Sequence, residues 1–188
     1  ILSNPIINIL FERGAFLSVD TAYTAQVLSI FALGLPAYIL IKVLVTCFFA
    51  REDTKTPLYI SLISVIINIV LSLLLIESMR EMGIATATAI SAWVNTILLF
   101  IVLRSKDNLV LDSQLIRNSF KIIISMIVMF VVCYFLNIVL FVNITDLSSL
   151  LKIGSLVFII VFCKIIYLGM IFMLKVLTIQ DLKGYIKK

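Results

Sequence analysis

Five long apolar runs separated by short polar stretches fill most of the chain. Each is near the length that carries a helix across a bilayer, about 20 residues. Residues 1–16 hold Pro5, a short apolar run and then Phe11-Glu12-Arg13-Gly14-Ala15-Phe16, which reads as the end of a preceding helix followed by an interfacial turn. Ser18 and Asp20 are N-cap residue types for the helix that follows. That helix is predicted over roughly 21–50, with a kink expected near Gly34 and Pro36. Thr56 as N-cap and Pro57 at the first helical position predict a second helix over 57–76. A polar turn, Glu77 to Met82, leads to a third over 83–104. Residues 104–121 form a longer polar connection, and the fourth helix is expected over 121–142. A turn from Asn143 to Ser149 precedes the fifth, 150–177, which Lys164 interrupts near its middle. A polar tail, 178–188, ends in Lys187-Lys188. The fold class is therefore all-α: a polytopic membrane helix bundle of about five transmembrane helices.

Polar positions inside these runs are not scattered. Ser61, Ser64, Asn68 and Ser72 recur at steps of three and four, so they share one stripe of the second helix. Thr88, Ser91 and Asn95 do the same on the third, whose first half is also rich in small residues: Gly83, Ala85, Ala87 and Ala89. Small residues let helix backbones approach closely. Two readings of the stripes stand side by side: hydrogen-bonding glue between helices, or the lining of a polar cavity or ion site. The fourth helix has only Ser125, Tyr134 and Asn137 and no stripe, and reads as peripheral and lipid-facing.

Composition strengthens the membrane reading. The chain has 188 residues, 63% of them hydrophobic and 13% charged, with a mean hydropathy of +1.24; a soluble domain is nearer half apolar and a quarter charged. The chain starts at Ile1 without a signal-peptide pattern, and reads as a piece of a longer protein. There is no histidine, and Cys47, Cys133 and Cys163 sit unpaired inside apolar runs as small hydrophobes. No Cys/His metal site, Gly-rich phosphate loop or Ser/His/Asp set is present.

The net charge of +5 could suggest nucleic acid, but the basic residues cluster at the ends of the apolar runs. Alternating helices place ten of the fifteen on one face and three on the other, with Lys42 and Lys164 inside helices. The positive-inside rule makes the first face, with loop Arg51, Glu52, Asp53 and Lys55 and the C-terminus, cytoplasmic. Lys42 lies eight residues before Ala50, roughly 12 Å along the helix from its cytoplasmic end. A lysine at that depth is either snorkelling or a cation in a water-filled cavity that meets an anionic substrate.

Two segments resemble the MurJ/MviN lipid II flippases of the multidrug/oligosaccharidyl-lipid/polysaccharide exporter superfamily. They are residues 10–16, Leu-Phe-Glu-Arg-Gly-Ala-Phe, and 33–57, from Leu-Gly-Leu-Pro-Ala-Tyr-Ile-Leu-Ile-Lys to Phe-Phe-Ala-Arg-Glu-Asp-Thr-Lys-Thr-Pro. Residues 83–95, Gly-Ile-Ala-Thr-Ala-Thr-Ala-Ile-Ser-Ala-Trp-Val-Asn, continue the resemblance, which covers about 5–104 and beyond 121 rests on helix count and order.

The resemblance implies the C-terminal part of a fourteen-helix transporter. Residues 1–20 would be the end of a helix and a periplasmic turn, and 21–104 three helices of the second lobe. Residues 105–121 would be a cytoplasmic loop, 122–177 two extra helices that form a groove for a polyprenyl tail, and 178–188 a cytoplasmic tail. It implies translocation of lipid II, the undecaprenyl-pyrophosphate-linked peptidoglycan precursor, between leaflets of the bacterial inner membrane by alternating access. No bond is made or broken, so no enzyme activity is expected. Expected partners are lipid II, membrane lipids and the missing N-terminal part of the same protein, with no nucleic acid. Lys42 matches a lysine of the family motif and is assigned with Asn95 to the substrate cavity. Some family members hold sodium at positions matching Asn68, Ser72, the Ile84 carbonyl and Thr88. Ser72 stands where sodium-binding members carry an acid, and hard cations prefer charged oxygens, so no cofactor is expected. Two alternatives remain at this stage: an exporter of another lipid-linked glycan or of a drug, and a non-transporting membrane scaffold.

Overall fold

The computed structural model describes residues 1–106, 112–141 and 149–176. These fold into six helices: α1 (Ser3–Phe11), α2 (Ser18–Phe49), α3 (Lys55–Met79), α4 (Glu81–Ser105), α5 (Ser113–Phe141) and α6 (Ser149–Met173). Among the described residues, five of them, α2 to α6, are long and apolar enough to cross a membrane. The helix bundle expected from the apolar runs is thus present. The turn expected at 143–148, the tail from 177 onward and residues 107–111 lie outside the described residues.

Helix boundaries differ from the sequence expectation in an instructive way. A membrane limits the apolar run, not the helix, so polar residues that reach water continue the same backbone ladder. α2 starts at Ser18 rather than 21, and its N-cap is Leu17, not Ser18 or Asp20. Asp20 acts from inside the first turn, where its carboxylate accepts the Leu17 N–H at 2.9 Å; a leucine side chain cannot return the bond. α3 starts at Lys55, ahead of the expected Thr56-Pro57 start. Its N-cap is Thr54, not Thr56, and Asp53 just before it supplies the side-chain bonds: its Oδ1 accepts the Thr56 N–H at 3.0 Å and its Oδ2 the Thr56 hydroxyl at 2.8 Å. The expected polar turn at 77–82 shrinks to Arg80 alone, because Glu77, Ser78 and Met79 continue α3 and Glu81 already begins α4. Arg80 reverses the chain with φ 49° and ψ −129°, a backbone region that favours glycine. α5 begins at Ser113 rather than 121, which puts Arg117 and Lys121 on a helix instead of in a connection. α6 ends at Met173, not 177, where Lys175 turns to φ 53°.

The chain divides into two compact units, one built from α2 to α4, the other from α1, α5 and α6. In the first, α4 packs against both α2 and α3, which scarcely touch each other. This two-sided contact explains why Gly83, Ala85, Ala87 and Ala89 are all buried although they alternate along the helix: some face α2, the others α3. Gly34 of α2 lies against α4, where an added Cβ would meet the Ala89 Cα at 3.4 Å. Gly83 lies closer still to α3, where a Cβ would stand 2.5 Å from the Leu75 carbonyl oxygen. Leu44, Phe48, Ile60, Leu99 and Leu103 form the core at the end near the 50–54 turn.

α2 runs through Pro36 as one helix. Proline lacks the N–H that the Ala32 carbonyl would use and crowds the preceding turn. α4 brings donors to carbonyls on both sides of it: Trp93 Nε1–H donates to Leu33 O at 3.1 Å, and the Thr96 hydroxyl shares its one proton between Ala92 O of its own helix, at 2.9 Å, and Ala37 O, at 3.2 Å. A neighbouring helix thereby offers side-chain donors to the backbone beside the proline.

In the second unit, Cys133 and Phe141 of α5 pack on Leu156, Ile159 and Cys163 of α6, with Leu2, Ile6 and Ile9 of the N-terminal segment against them. Lys121 donates to the Leu174 carbonyl at 2.8 Å just past the end of α6, where a helix end welcomes a cation. Most of α5 is exposed, including Phe120, Phe130 and Phe135, in keeping with a lipid-facing helix. All three cysteines are free.

Candidate functional site

The two polar stripes meet. Ser64, Asn68 and Ser72 of α3 are half-buried or buried in a helix whose other side chains are largely exposed, so the stripe turns toward α4. From α4, Ser91 and Asn95 are buried and Thr88 half-buried. The Asn68 amide nitrogen donates to Thr88 Oγ1 at 3.2 Å and to Ser91 Oγ at 3.0 Å. Each hydroxyl donates in turn to its own helix: Thr88 to Ile84 O at 2.8 Å and Ser91 to Thr88 O at 3.0 Å. Ser64 donates to Ile60 O at 3.0 Å. The glue reading is therefore realised at the α3–α4 seam.

A cleft lies beside it. An open cleft of about 210 Å³ runs along the seam, lined by Tyr38 and Ile41 of α2, Ser61, Ser64, Val65 and Asn68 of α3, and Thr88, Ser91, Ala92 and Asn95 of α4, its surface mostly apolar with the hydroxyl and amide groups set into it. The Asn95 Oδ1 is buried without a hydrogen-bond partner among the described residues. A strip of hydroxyl and amide groups through an apolar three-helix unit can hydrogen-bond water, sugar hydroxyls or other uncharged polar groups. It holds no carboxylate, and among the described residues no three His, Cys, Asp or Glu side chains gather where a metal could bind.

The structure brings together three of the expected site residues, Asn68, Thr88 and Asn95, in one cleft. Ser72 is half-buried further along α3. The Ile84 side chain is exposed, while its carbonyl belongs to the network through Thr88. Lys42 is exposed and does not line the cleft; it lies one turn beyond Tyr38, on the same side of α2. Its own carbonyl accepts the Thr46 hydroxyl at 2.8 Å.

The charged loop is ordered by one residue. Arg51 N–H and Asp53 N–H both donate to Phe48 O, at 3.0 and 3.1 Å, and Glu52 turns the chain with φ 60°. Arg51, Glu52 and Lys55 are exposed. Beyond its capping bonds, Asp53 Oδ2 accepts from Lys106 Nζ at 2.7 Å. Lys106 also reaches Thr56 Oγ1 at 3.3 Å and stands 6.0 Å from the centre of the buried Phe48 ring. These bonds hold the Asp53 carboxyl down at about 2, Lys106 first and the Thr56 donors next. Sequence reasoning treated this loop only as a topology marker and missed its tie to Lys106, as it missed Trp93 and Thr96. In each case the partner lies more than 45 residues away, and only the Trp93/Thr96 spacing of three opposite a proline-bearing helix offered a signal.

The profile of the family described as Lipid II flippase MurJ matches residues 1–156. Three curated relatives named "Probable lipid II flippase MurJ" are similar to the chain. That of Rickettsia prowazekii is 41% identical over 167 residues, 84% of this chain and 33% of the relative. That of Rhizobium tropici is 43% identical over 129 residues, 69% and 24% respectively. That of Rhizobium meliloti is 40% identical over 134 residues, 71% and 25%. The chain thus spans a third or less of the length of these relatives. With the profile covering most of its residues and five membrane-length helices in place, the chain belongs to the lipid II flippase MurJ family.

Proposed function

We propose that this chain forms part of a lipid II flippase and supplies a section of the wall along which the head of the precursor crosses the bilayer. The observation that carries the reading is the open cleft between the helices α2, α3 and α4, mostly apolar but studded with hydroxyl and amide groups, in a chain of the flippase family. The substrate is an undecaprenyl-pyrophosphate-linked sugar and peptide. Asn95 and its neighbours offer hydrogen bonds to the sugar hydroxyls. Lys42, exposed one turn beyond the cleft-lining Tyr38, offers a cation to the pyrophosphate. The exposed apolar side chains of α5 would meet the polyprenyl tail. No bond changes; the work is a switch of access from one leaflet to the other. The basic-residue asymmetry supports a cytoplasmic 51–55 loop and C-terminus, and membership of the flippase family supports the bacterial inner membrane.

The test is rescue. The complete reading frame is expressed in bacteria depleted of their own lipid II flippase, and growth and outward-exposed lipid II are scored. Rescue that Lys42→Ala impairs without loss of protein from the membrane supports the reading. Rescue that is indifferent to Lys42→Ala removes the lysine from the route. Failure despite confirmed membrane expression points to another lipid-linked glycan as cargo.

A further inference from the structure

We infer that the Asn68, Thr88 and Ser91 side chains of the α3–α4 seam are saturated by their own hydrogen bonds and take no sodium ion, the Asn68 amide standing in for one. The expected ion site is Asn68, Ser72, the Ile84 carbonyl and Thr88. A hard cation needs several oxygen lone pairs turned to one point, preferably with a negative charge among them. The geometry here assigns those lone pairs elsewhere. The single proton of the Thr88 hydroxyl goes to Ile84 O at 2.8 Å, and that of Ser91 to Thr88 O at 3.0 Å. Both hydroxyl oxygens can then only accept toward the seam, so the Asn68 side chain has to meet them with its NH2 end rather than its oxygen. It does, at 3.2 and 3.0 Å. The orientation of the amide is thus dictated by its neighbours.

A sodium ion would have to take the Ile84 carbonyl from Thr88 and turn the Asn68 amide over. It would then leave both hydroxyl oxygens without their donor. It would also shed hydration with no carboxylate to offset the loss. Ser72, four residues from Asn68 and on the same stripe, is neutral where sodium-binding members carry an acid. The amide does the structural work of an ion, since one group with two donors ties α3 to two oxygens of α4. The inference rests on the family reading only for where an ion would be sought, and its test involves no transport.

That test uses the purified full-length protein in detergent. Thermal unfolding is followed in sodium, potassium and choline chloride at equal ionic strength, and binding of radioactive sodium is measured directly. The unaltered protein should unfold at the same midpoint in all three salts and show no saturable sodium binding. Ser72→Asp, which restores the missing charge beside Asn68, should gain an upward shift of the midpoint in sodium alone. Should that variant fail to fold, Asn68→Asp places the carboxylate one turn away and serves the same purpose. Sodium-selective stabilisation of the unaltered protein, or saturable sodium binding that Thr88→Val abolishes, overturns the inference. A failed rescue of flippase-depleted cells would overturn the substrate assignment and leave these measurements untouched.

Discussion

Lys106 Nζ and Asp53 Oδ2 stand 2.7 Å apart, joining the end of α4 to the cap of α3. The same carboxylate accepts the Thr56 N–H and hydroxyl, so one acidic residue starts a helix and anchors a neighbour.

The Asp53 carboxyl is lowered from 3.8 to about 2. A depressed folded-state value contributes stability that is present above the ordinary carboxylate range and lost as the pH falls through the lowered one. The contribution of this exposed pair is small and salt-sensitive. Lys106→Ala should therefore unfold at a lower temperature than the parent at neutral pH, with the gap closing between about pH 4 and pH 2. A gap that stays constant down to pH 2 in thermal unfolding curves would show that Lys106 acts through packing on Phe48 instead.

Two glycines at helix crossings should respond in opposite ways. Gly83→Ala places a methyl 2.5 Å from Leu75 O and 2.7 Å from Leu75 C. Backbone cannot yield as a side-chain tip can, so a loss of about 1–3 kcal/mol is expected. Gly34→Ala meets Ala89 at ordinary contact distances, 3.4 and 3.5 Å. It also gains up to about 1 kcal/mol of helix propensity, so it should be neutral or stabilising. Paired unfolding curves decide; equal effects from the two substitutions would contradict the crossing geometry.

Arg80 holds φ 49° and ψ −129° between α3 and α4. A non-glycine residue there stores on the order of 1–3 kcal/mol. Arg80→Gly should release most of it, less the extra freedom that glycine has in the unfolded chain. The expected result is a raised melting midpoint. A lowered midpoint would mean that the arginine side chain makes contacts worth more than the strain.

The bonds that α4 lends to the proline-bearing stretch of α2 can be removed one at a time. Thr96→Val keeps the shape and deletes a hydroxyl whose proton is shared between Ala37 O, at 3.2 Å, and Ala92 O of its own helix, at 2.9 Å, so its cost should fall at the low end of the interhelical range. Interhelical bonds of this kind average about 0.6 kcal/mol and reach roughly 1.7. Trp93→Phe deletes the donor to Leu33 O. Because both bonds serve the same helix segment, the double variant should cost more than the sum of the singles, measurable as a coupling energy in a double-mutant cycle.

Much of this was legible in the sequence, for a specific reason. Apolar run length sets membrane helices directly, and the three- and four-residue steps of Ser61 to Ser72 and Thr88 to Asn95 place those residues on faces without any knowledge of partners. Which faces meet is a tertiary fact, and two polar stripes of similar length on consecutive helices were a fair signal of it. The starts of α3 and α5 were not legible, because polar residues such as Arg117 continue a helix beyond the apolar run that reveals it. Nor was Arg80, since no sequence rule favours arginine at positive φ. Lys42 shows the reverse limit. Its position made it a cavity candidate, yet the cleft itself is built from uncharged side chains, which attract less notice in a sequence than a lone lysine does.

α4 lies between α2 and α3, which scarcely touch each other, and this bears on how the unit is made. α2 and α3 alone form a hairpin with little to hold its arms in place. The Leu33 and Ala37 carbonyls near Pro36 and the Asn68 amide find their α4 partners only where residues 81–105 pack against them. α4 is therefore the strut of the unit: without residues 81–105 the Asn68 side-chain amide loses both of its acceptors, and α2 and α3 lose the surface that each of them packs on.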